Sequence, residues 1–261
     1  MNVKILLVAL FSSTIFSLSA QARPVKVCLE DSQWFPMIYK NHKGEISGVQ
    51  VDIIKGALEK LNIKYSLNML PWKRCLMKVS EGDYDAALGA SYSDERSKYL
   101  YYPKNAKKNS MLNGKHNKRV AQSVYVAINL KSQNYIFDGN LSKVPVPVYI
   151  PAGFSIAEDL KGVGVLVDDG AKKDILNFKK LLRGEKGTVI AIEGFAKAYI
   201  ESSDKKKFFS ISSRSVKSKS NYLAFSKKSK IKSQVVGYIW DAIEVERKKN
   251  ITKLYRKHKS Y

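Results

Sequence analysis

The chain alternates short apolar runs with segments whose apolar residues return every third or fourth position. Residues 24–29 (PVKVCL) are a compact run with β-branched side chains and predict a first buried strand. Over 49–62, Val51, Ile54, Leu58 and Leu61 fall three or four apart, the spacing of an amphipathic helix. Residues 65–70 alternate as a second strand. A helix follows over 71–80, with Pro71 at its start and Gly82 just past its end. Residues 84–88 (YDAAL) predict a third strand. Ser93, Asp94, Glu95 and Arg96 then open another helix, an N-cap followed by first-turn acids. Turn signals stand at 31–36 (DSQWFP) and 41–44 (NHKG).

The same logic repeats further along. Residues 123–130 (SVYVAINL) predict a strand, and 144–150 (VPVPVYI) another whose two prolines point to an edge or an irregular start. A turn at 151–155 (PAGFS) leads into a helix over 156–160. A strand over 163–167, a helix over 172–182 closed by Gly184, a strand over 188–192 (TVIAI) and a helix over 194–202 come next. The chain ends with a strand at 222–226 (YLAFS) and helices over 235–249 and 251–257. Strands alternating with helices predict an α/β protein with mostly parallel sheets flanked by helices. Neither βα-rich block is large enough for one core of some 240 residues, so two lobes are the economical architecture. Residues 23–121 with 219–261 make the first lobe and 122–218 the second, with hinges at 121–124 and 216–222. Small ligands bind in clefts between lobes and at the carboxyl ends of parallel strands.

The first 22 residues have a leader pattern: Lys4, an apolar run from Ile5 to Phe16, and the small-x-small end Ala20-Gln21-Ala22. The run is too short to span a bilayer comfortably. No Cys stands at the cleavage point for lipid attachment. The expected product is therefore an exported, periplasmic, soluble chain beginning at Arg23. Its formal charge falls from +23 to +22, since Lys4 is the one charged residue removed. Such a charge suits anionic partners, but the lysines are spread along the whole chain and read as a solvated surface. A basic adhesive protein is the competing reading, and its binding would collapse with salt. Cys28 and Cys75 remain after export. An oxidising compartment permits their pairing, while spacing leaves two buried thiols equally open.

Candidate chemistry is sparse in the usual catalytic types. His42, His116 and His258 are scattered, with no Ser-His-Asp set, metal-ligand spacing, phosphate loop or nucleic-acid motif. No cofactor, metal or nucleic-acid partner is expected, and the chain is expected to act as a monomer. Arg96 stands near a helix start, where its fork can grip a carboxylate through two parallel hydrogen bonds. By context alone it reads more readily as a surface Arg paired with Glu95 or Asp94. Trp34 sits in a polar loop and Trp72 beside Pro71, so two rings are available for stacking or cation contact. Either Trp could equally serve in a core.

The segments DSQWFPMIYKNHKGEISGVQVDI, LPWKRCLMKVSEGDYDAALGASYSDERSKYLYYP, GFSIAEDL, LLRGEKGTVIAIEGFAKAY and YLAFSKKS, in that order, resemble the bacterial extracellular solute-binding proteins of family 3. The resemblance covers nearly the whole mature chain and implies the two-lobed type II periplasmic-binding fold. It implies capture of a polar amino acid or similar zwitterion by hinge closure, with delivery to an ABC permease or a membrane receptor. Arg96 then clamps the ligand α-carboxylate, with Gly89 and Ser91 around it. Trp34 and Trp72 supply aromatic walls. Asp31 and Glu193 supply acids, the second for the α-ammonium. Gly153, Phe154 and Ser155 form the second-lobe turn. Tyr92, Tyr149 and Lys115 are within possible reach of the cleft. Dehydratases share the fold, and Glu193 would be the general acid in that alternative.

Overall fold

A computed structural model describes residues 23–32, 34–201 and 204–259; the leader pattern at 1–22 lies outside the described residues. The strands are β1 (Val25–Glu30), β2 (Tyr39–Lys40), β3 (Ile46–Ser47), β4 (Tyr65–Leu70), β5 (Ala86–Ser91), β6 (Leu100–Tyr101), β7 (Ala121–Leu130), β8 (Val148–Pro151), β9 (Val167–Ala171), β10 (Thr188–Ile192) and β11 (Phe209–Ser226). The helices are α1 (Val49–Lys60), α2 (Trp72–Glu81), α3 (Asp94–Ser97), α4 (Ala106–Met111), α5 (Ser155–Lys161), α6 (Asp174–Gly184), α7 (Glu193–Glu201) and α8 (Ser233–Lys257). One sheet runs through the molecule in the order β4-β1-β5-β11-β7-β10-β8-β9, with β6 also on β11. Its outer parts are parallel: β4, β1 and β5 at one end, β10, β8 and β9 at the other. The centre is antiparallel, where the long β7 and β11 pair with each other.

Side-chain alternation explains how each end is filled. Val25, Val27 and Leu29 of β1 point to one face and join Ile53, Ile54, Leu88, Ile239 and Ile243. Cys28 points to the other, with Trp72, Cys75 and Ala90. There Cys28 and Cys75 form a disulfide with Cα atoms 5.8 Å apart, tying β1 to α2. At the far end, Ile150, Ile156 and Ile190 pack on one side of the sheet. Ile128, Phe178, Leu181 and Val189 pack on the other.

Several elements differ from the sequence expectation; the strand expected at 84–88 lies at Ala86–Ser91, and β2, β3, β6 and α4 were not expected. The strand expected at 163–167 lies at Val167–Ala171. Gly164 takes a φ of +82° and Val165 N–H bonds back to Leu160 O at 3.0 Å, so residues 163–165 close α5 instead of extending. The polar sequence VDDGA still forms a strand because β9 is the sheet edge. β8 lies between β10 and β9, not at an edge; its prolines make only the irregular start, and pairing begins at Val148 after Pro147. The two C-terminal helices are one, since Asn250 has only a weak helix penalty and its amide bonds Glu246. The strand at 222–226 reaches back to Phe209. Its Ser- and Lys-rich part carries little hydrophobic signal but pairs along β7 from Phe209↔Leu130 to Asn221↔Ala121.

Candidate functional site

A cavity of about 60 Å³ lies where β1, β5, β7, β10 and β11 meet α2, α3, α5, α6 and α7. That is room for a handful of waters or one compact solute. Arg96 lies in its wall and is 3% exposed. Ser93 caps α3, its Oγ accepting from the Arg96 N–H at 3.2 Å, and this turn aims the guanidinium inward. Nη1 donates to the Ser91 carbonyl at 2.8 Å and to Ser91 Oγ at 3.2 Å. Nη2 donates to the Gly153 carbonyl at 2.6 Å. The guanidinium carbon stands 5.4 Å from the centre of the Trp72 ring. The surface alternative for Arg96 is thus excluded; Asp94 pairs with Lys107 instead.

The Arg96–Gly153 bond joins β5–α3 to the turn before α5, and two further bonds run beside it. Ser91 Oγ and Ser155 Oγ are 2.7 Å apart. Ser93 Oγ donates to Glu158 Oε1 at 3.2 Å. Burial raises the Glu158 carboxyl above its usual range, against the pull of Ser93 and Arg96. Gly89 is the extra residue of a β-bulge: Leu88 and Ala90 pair with Leu223 and Tyr222, leaving Gly89 without a partner. Its φ of +87° suits glycine, and its carbonyl accepts from Asn221 Nδ2 at 2.9 Å.

The structure therefore brings Trp34, Trp72, Gly89, Ser91, Arg96, Phe154 and Ser155 to one cavity, with Gly153 attached through its carbonyl. Two expected acids are not there. Asp31 lies one residue past the end of β1 and does not line the cavity; Glu30 does. Strand parity is the reason: Glu30 shares a face with Cys28, and Cys28 packs with Trp72. Glu193 begins α7, is 39% exposed and pairs with Lys197 Nζ at 2.6 Å, one helical turn on. The acid from that side is Asp174, the first residue of α6. Tyr92, Tyr149 and Lys115 also stay outside the lining.

Both cavity acids are perturbed. Burial pushes Glu30 up to about 7, against a 2.9 Å hydrogen bond from Ser32 Oγ and with added repulsion from Asp31 and Asp174. Burial likewise pushes Asp174 up to about 7. Ser32, Ser123, Tyr125, Phe195 and Asn221 complete the polar and aromatic lining that the sequence reading missed. Ser123 and Asn221 are diagonal neighbours on β7 and β11, with Ser123 Oγ donating to Asn221 Oδ1 at 2.6 Å. Among the described residues no group of three His, Cys, Asp or Glu is placed to hold a metal ion.

Two parallel-sheet ends joined by an antiparallel centre, with a buried arginine bridging the gap, define the type II periplasmic-binding architecture. The chain belongs to the bacterial extracellular solute-binding proteins, family 3, which match residues 25–259. A search of curated proteins by sequence gives no match. Solved structures agree in fold. A mutant of ArgBP from T. maritima superposes with a TM-score of 0.68 at 17% identity, covering 91% of this chain and 95% of that one. The arginine-, lysine-, histidine-binding protein ArtJ from Geobacillus stearothermophilus gives 0.67 at 17%, covering 92% and 96%. A histidine kinase sensor domain with similarity to periplasmic binding proteins gives 0.68 at 12%, covering 91% and 96%.

Proposed function

We propose that the protein is a periplasmic solute-binding protein that encloses an amino acid or similar zwitterion between 23–121 with 219–261 on one side and 122–218 on the other. The observation that carries this reading is the buried Arg96 guanidinium, which lines the cavity and bonds directly to the Gly153 carbonyl of the turn before α5. A carboxylate is a stronger acceptor than a backbone carbonyl. A ligand α-carboxylate taking over part of that fork would hold the two sides together through itself. Closure is then favoured by as much as the ligand prefers the closed form. Similar folds serve an amino acid ABC transporter and a histidine kinase sensor, so a permease or a signalling receptor is the reader of the closed state.

Calorimetry with the proteinogenic amino acids tests this. One or more of them should bind, and Arg96→Ala should weaken that binding by about thirtyfold or more, the cost of losing one partner of a buried charge pair. Heat from none of them, or full affinity in Arg96→Ala, overturns the reading. The pairing of Glu193 with Lys197 outside the cavity lining speaks against Glu193 as the general acid of the dehydratase alternative. That alternative would need Glu30 or Asp174, and turnover of prephenate or arogenate would establish it in place of capture.

A further inference from the structure

The cations are spread along the whole chain, but the acids are not. Residues 96–137 carry nine Lys and Arg and no Asp or Glu. Within that stretch, residues 104–118 form a polar loop around α4 whose apolar residues are Ala106, Met111 and Leu112. Ala106 is 2% exposed, while Met111 and Leu112 are 71% and 69% exposed. Lys107 stands one helical turn before Met111 and Lys108 one turn before Leu112, so these four exposed side chains share the outer face. The inner side is fixed by polar bonds. Ser220 Oγ accepts from the His116 N–H at 3.0 Å and lies 3.1 Å from Asn109 Oδ1. It also lies 2.9 Å from Gln122 Oε1, which braces the loop on both central strands, β7 and β11. His116 Nε2 is 2.9 Å from the Lys104 carbonyl and closes the loop at its base. The loop is thus held in place without using Met111 or Leu112.

We infer that this outer face docks on an anionic lipid bilayer. Lys104, Lys108 and Lys115 form no ion pair among the described residues. Lys107 and Lys118 meet Asp94 and Asp241, whose side chains are themselves 72% and 60% exposed, so water screens both pairs. Two apolar side chains at a tip with lysines on either side is the distribution that settles at a membrane interface. The apolar groups enter the boundary of the acyl chains while the ammonium groups stay among the phosphates. Tyr101, three positions ahead of the loop and 52% exposed, has Lys227 Nζ 5.7 Å from its ring centre and extends the same mixture of aromatic and cation.

Other occupants fit this face less well. A second copy of the chain brings the same positive excess against it. The leader pattern at 1–22 carries Lys4 and no acid. A soluble polyanion matches the lysines but gives Met111 and Leu112 nothing apolar to enter. None of the loop residues lines the ligand cavity, so the inference stands whatever the cavity holds.

Co-sedimentation of the intact mature protein with vesicles tests this. Vesicles of phosphatidylcholine with about 30% phosphatidylglycerol should bind it about tenfold more tightly, or better, than vesicles of phosphatidylcholine alone. Raising the salt from about 50 to about 500 mM should weaken that binding by about tenfold or more. Met111→Ser/Leu112→Ser should weaken it by about tenfold or more, since two apolar side chains no longer insert. Lys107→Gln/Lys108→Gln should weaken it by about twentyfold, at about fivefold for each lysine near the surface. Lys179→Gln/Lys186→Gln removes the same charge from in and just after α6 and should change binding by less than about threefold. All six positions are exposed, so each variant should keep the thermal midpoint of the parent. Equal losses from the two lysine pairs overturn the face and leave only diffuse attraction. Unchanged binding in Met111→Ser/Leu112→Ser overturns the insertion on which the choice of a bilayer rests. Failure to bind the anionic vesicles, or equal binding to neutral ones, overturns the inference outright.

Discussion

Lys219 has a fully buried side chain, and its Nζ lies 2.5 Å from Asp159 Oδ2. It sits on β11 opposite Ser123 of β7, at the antiparallel centre of the sheet, while Asp159 belongs to α5. Lys217 Nζ also reaches the same carboxylate, at 3.2 Å. Burial depresses Lys219 to about 8, with attraction from Asp159 opposing the shift and Arg96 and Lys217 adding to it. Against an unfolded value near 10.4, that corresponds to about 3 kcal/mol of net penalty for keeping this ammonium charged in the fold. The pair is thus worth little beyond replacing one cost with another, but Asp159 alone keeps the cost from rising. Asp159→Asn should destabilise by about 3–5 kcal/mol, because it leaves a buried cation with no counter-charge. Lys219→Met removes the cation and should cost less than about 1 kcal/mol, or stabilise. The double variant should recover most of the loss seen in Asp159→Asn. Urea denaturation of the three variants at pH 7 measures this through the midpoint at constant slope. The sign with pH follows. Between about 8 and 10.4 the unfolded Lys219 holds a proton that the folded one has released, so stability should rise with pH across that window. If Lys219→Met proves as damaging as Asp159→Asn, the pair is a net stabiliser and the reasoning fails.

Two further outcomes are expected. Cys28 and Cys75 are 47 positions apart, and closing a loop of that length in the unfolded chain corresponds to about 4 kcal/mol. Denaturation of the Cys28→Ser/Cys75→Ser double variant should show a loss of that order, and a loss below about 1 kcal/mol would contradict it. At Gly89 an added Cβ meets only Gln50 Oε1 at 3.5 Å and Ile38 Cδ1 at 4.0 Å, so space is not the obstacle. The φ of +87° is. Gly89→Ala should therefore cost about 1 kcal/mol or more through the backbone alone, measured by thermal unfolding, and should weaken binding in the cavity that Gly89 lines.

The elements were legible where hydrophobic period and punctuation agreed. The strand at 65–70, read from alternation, and that at 188–192, read as a short apolar run, have the bounds expected of them. Ser93 caps the turn that carries Arg96. β11 was half hidden because a strand supported on both sides by other strands can be rich in Ser and Lys. The site's arginine and aromatics were legible only through the family resemblance, since context alone left Arg96 open to a surface ion pair and either Trp to a core. Its acids were not. Asp31 and Glu30 are neighbours, and one step along a strand sends a side chain to the opposite face. Glu193 and Asp174 both begin helices, where an acid is favourable whether or not it touches a ligand. The parity of β1, counted from Cys28, is the signal that would have selected Glu30. No comparable signal in the sequence distinguishes Asp174 from Glu193.

The pairing of β7 with β11 also bears on how such a chain can be rearranged. Ala121 stands opposite Asn221, and Val120 N–H bonds Asn221 O at 2.7 Å. Everything between leaves and re-enters at adjacent points of one ladder, as a cassette spliced into a hairpin would. A two-residue turn of the Asn-Gly kind would bridge that gap in an antiparallel pair. The remaining chain would retain Trp34, Trp72, Gly89, Ser91 and Arg96, while Phe154, Ser155 and Asp174 would leave with the excised piece. On the proposed reading of the cavity, recognition chemistry is thereby partitioned between a host and an insert, and exchanging the insert alone would retune what the host's arginine holds.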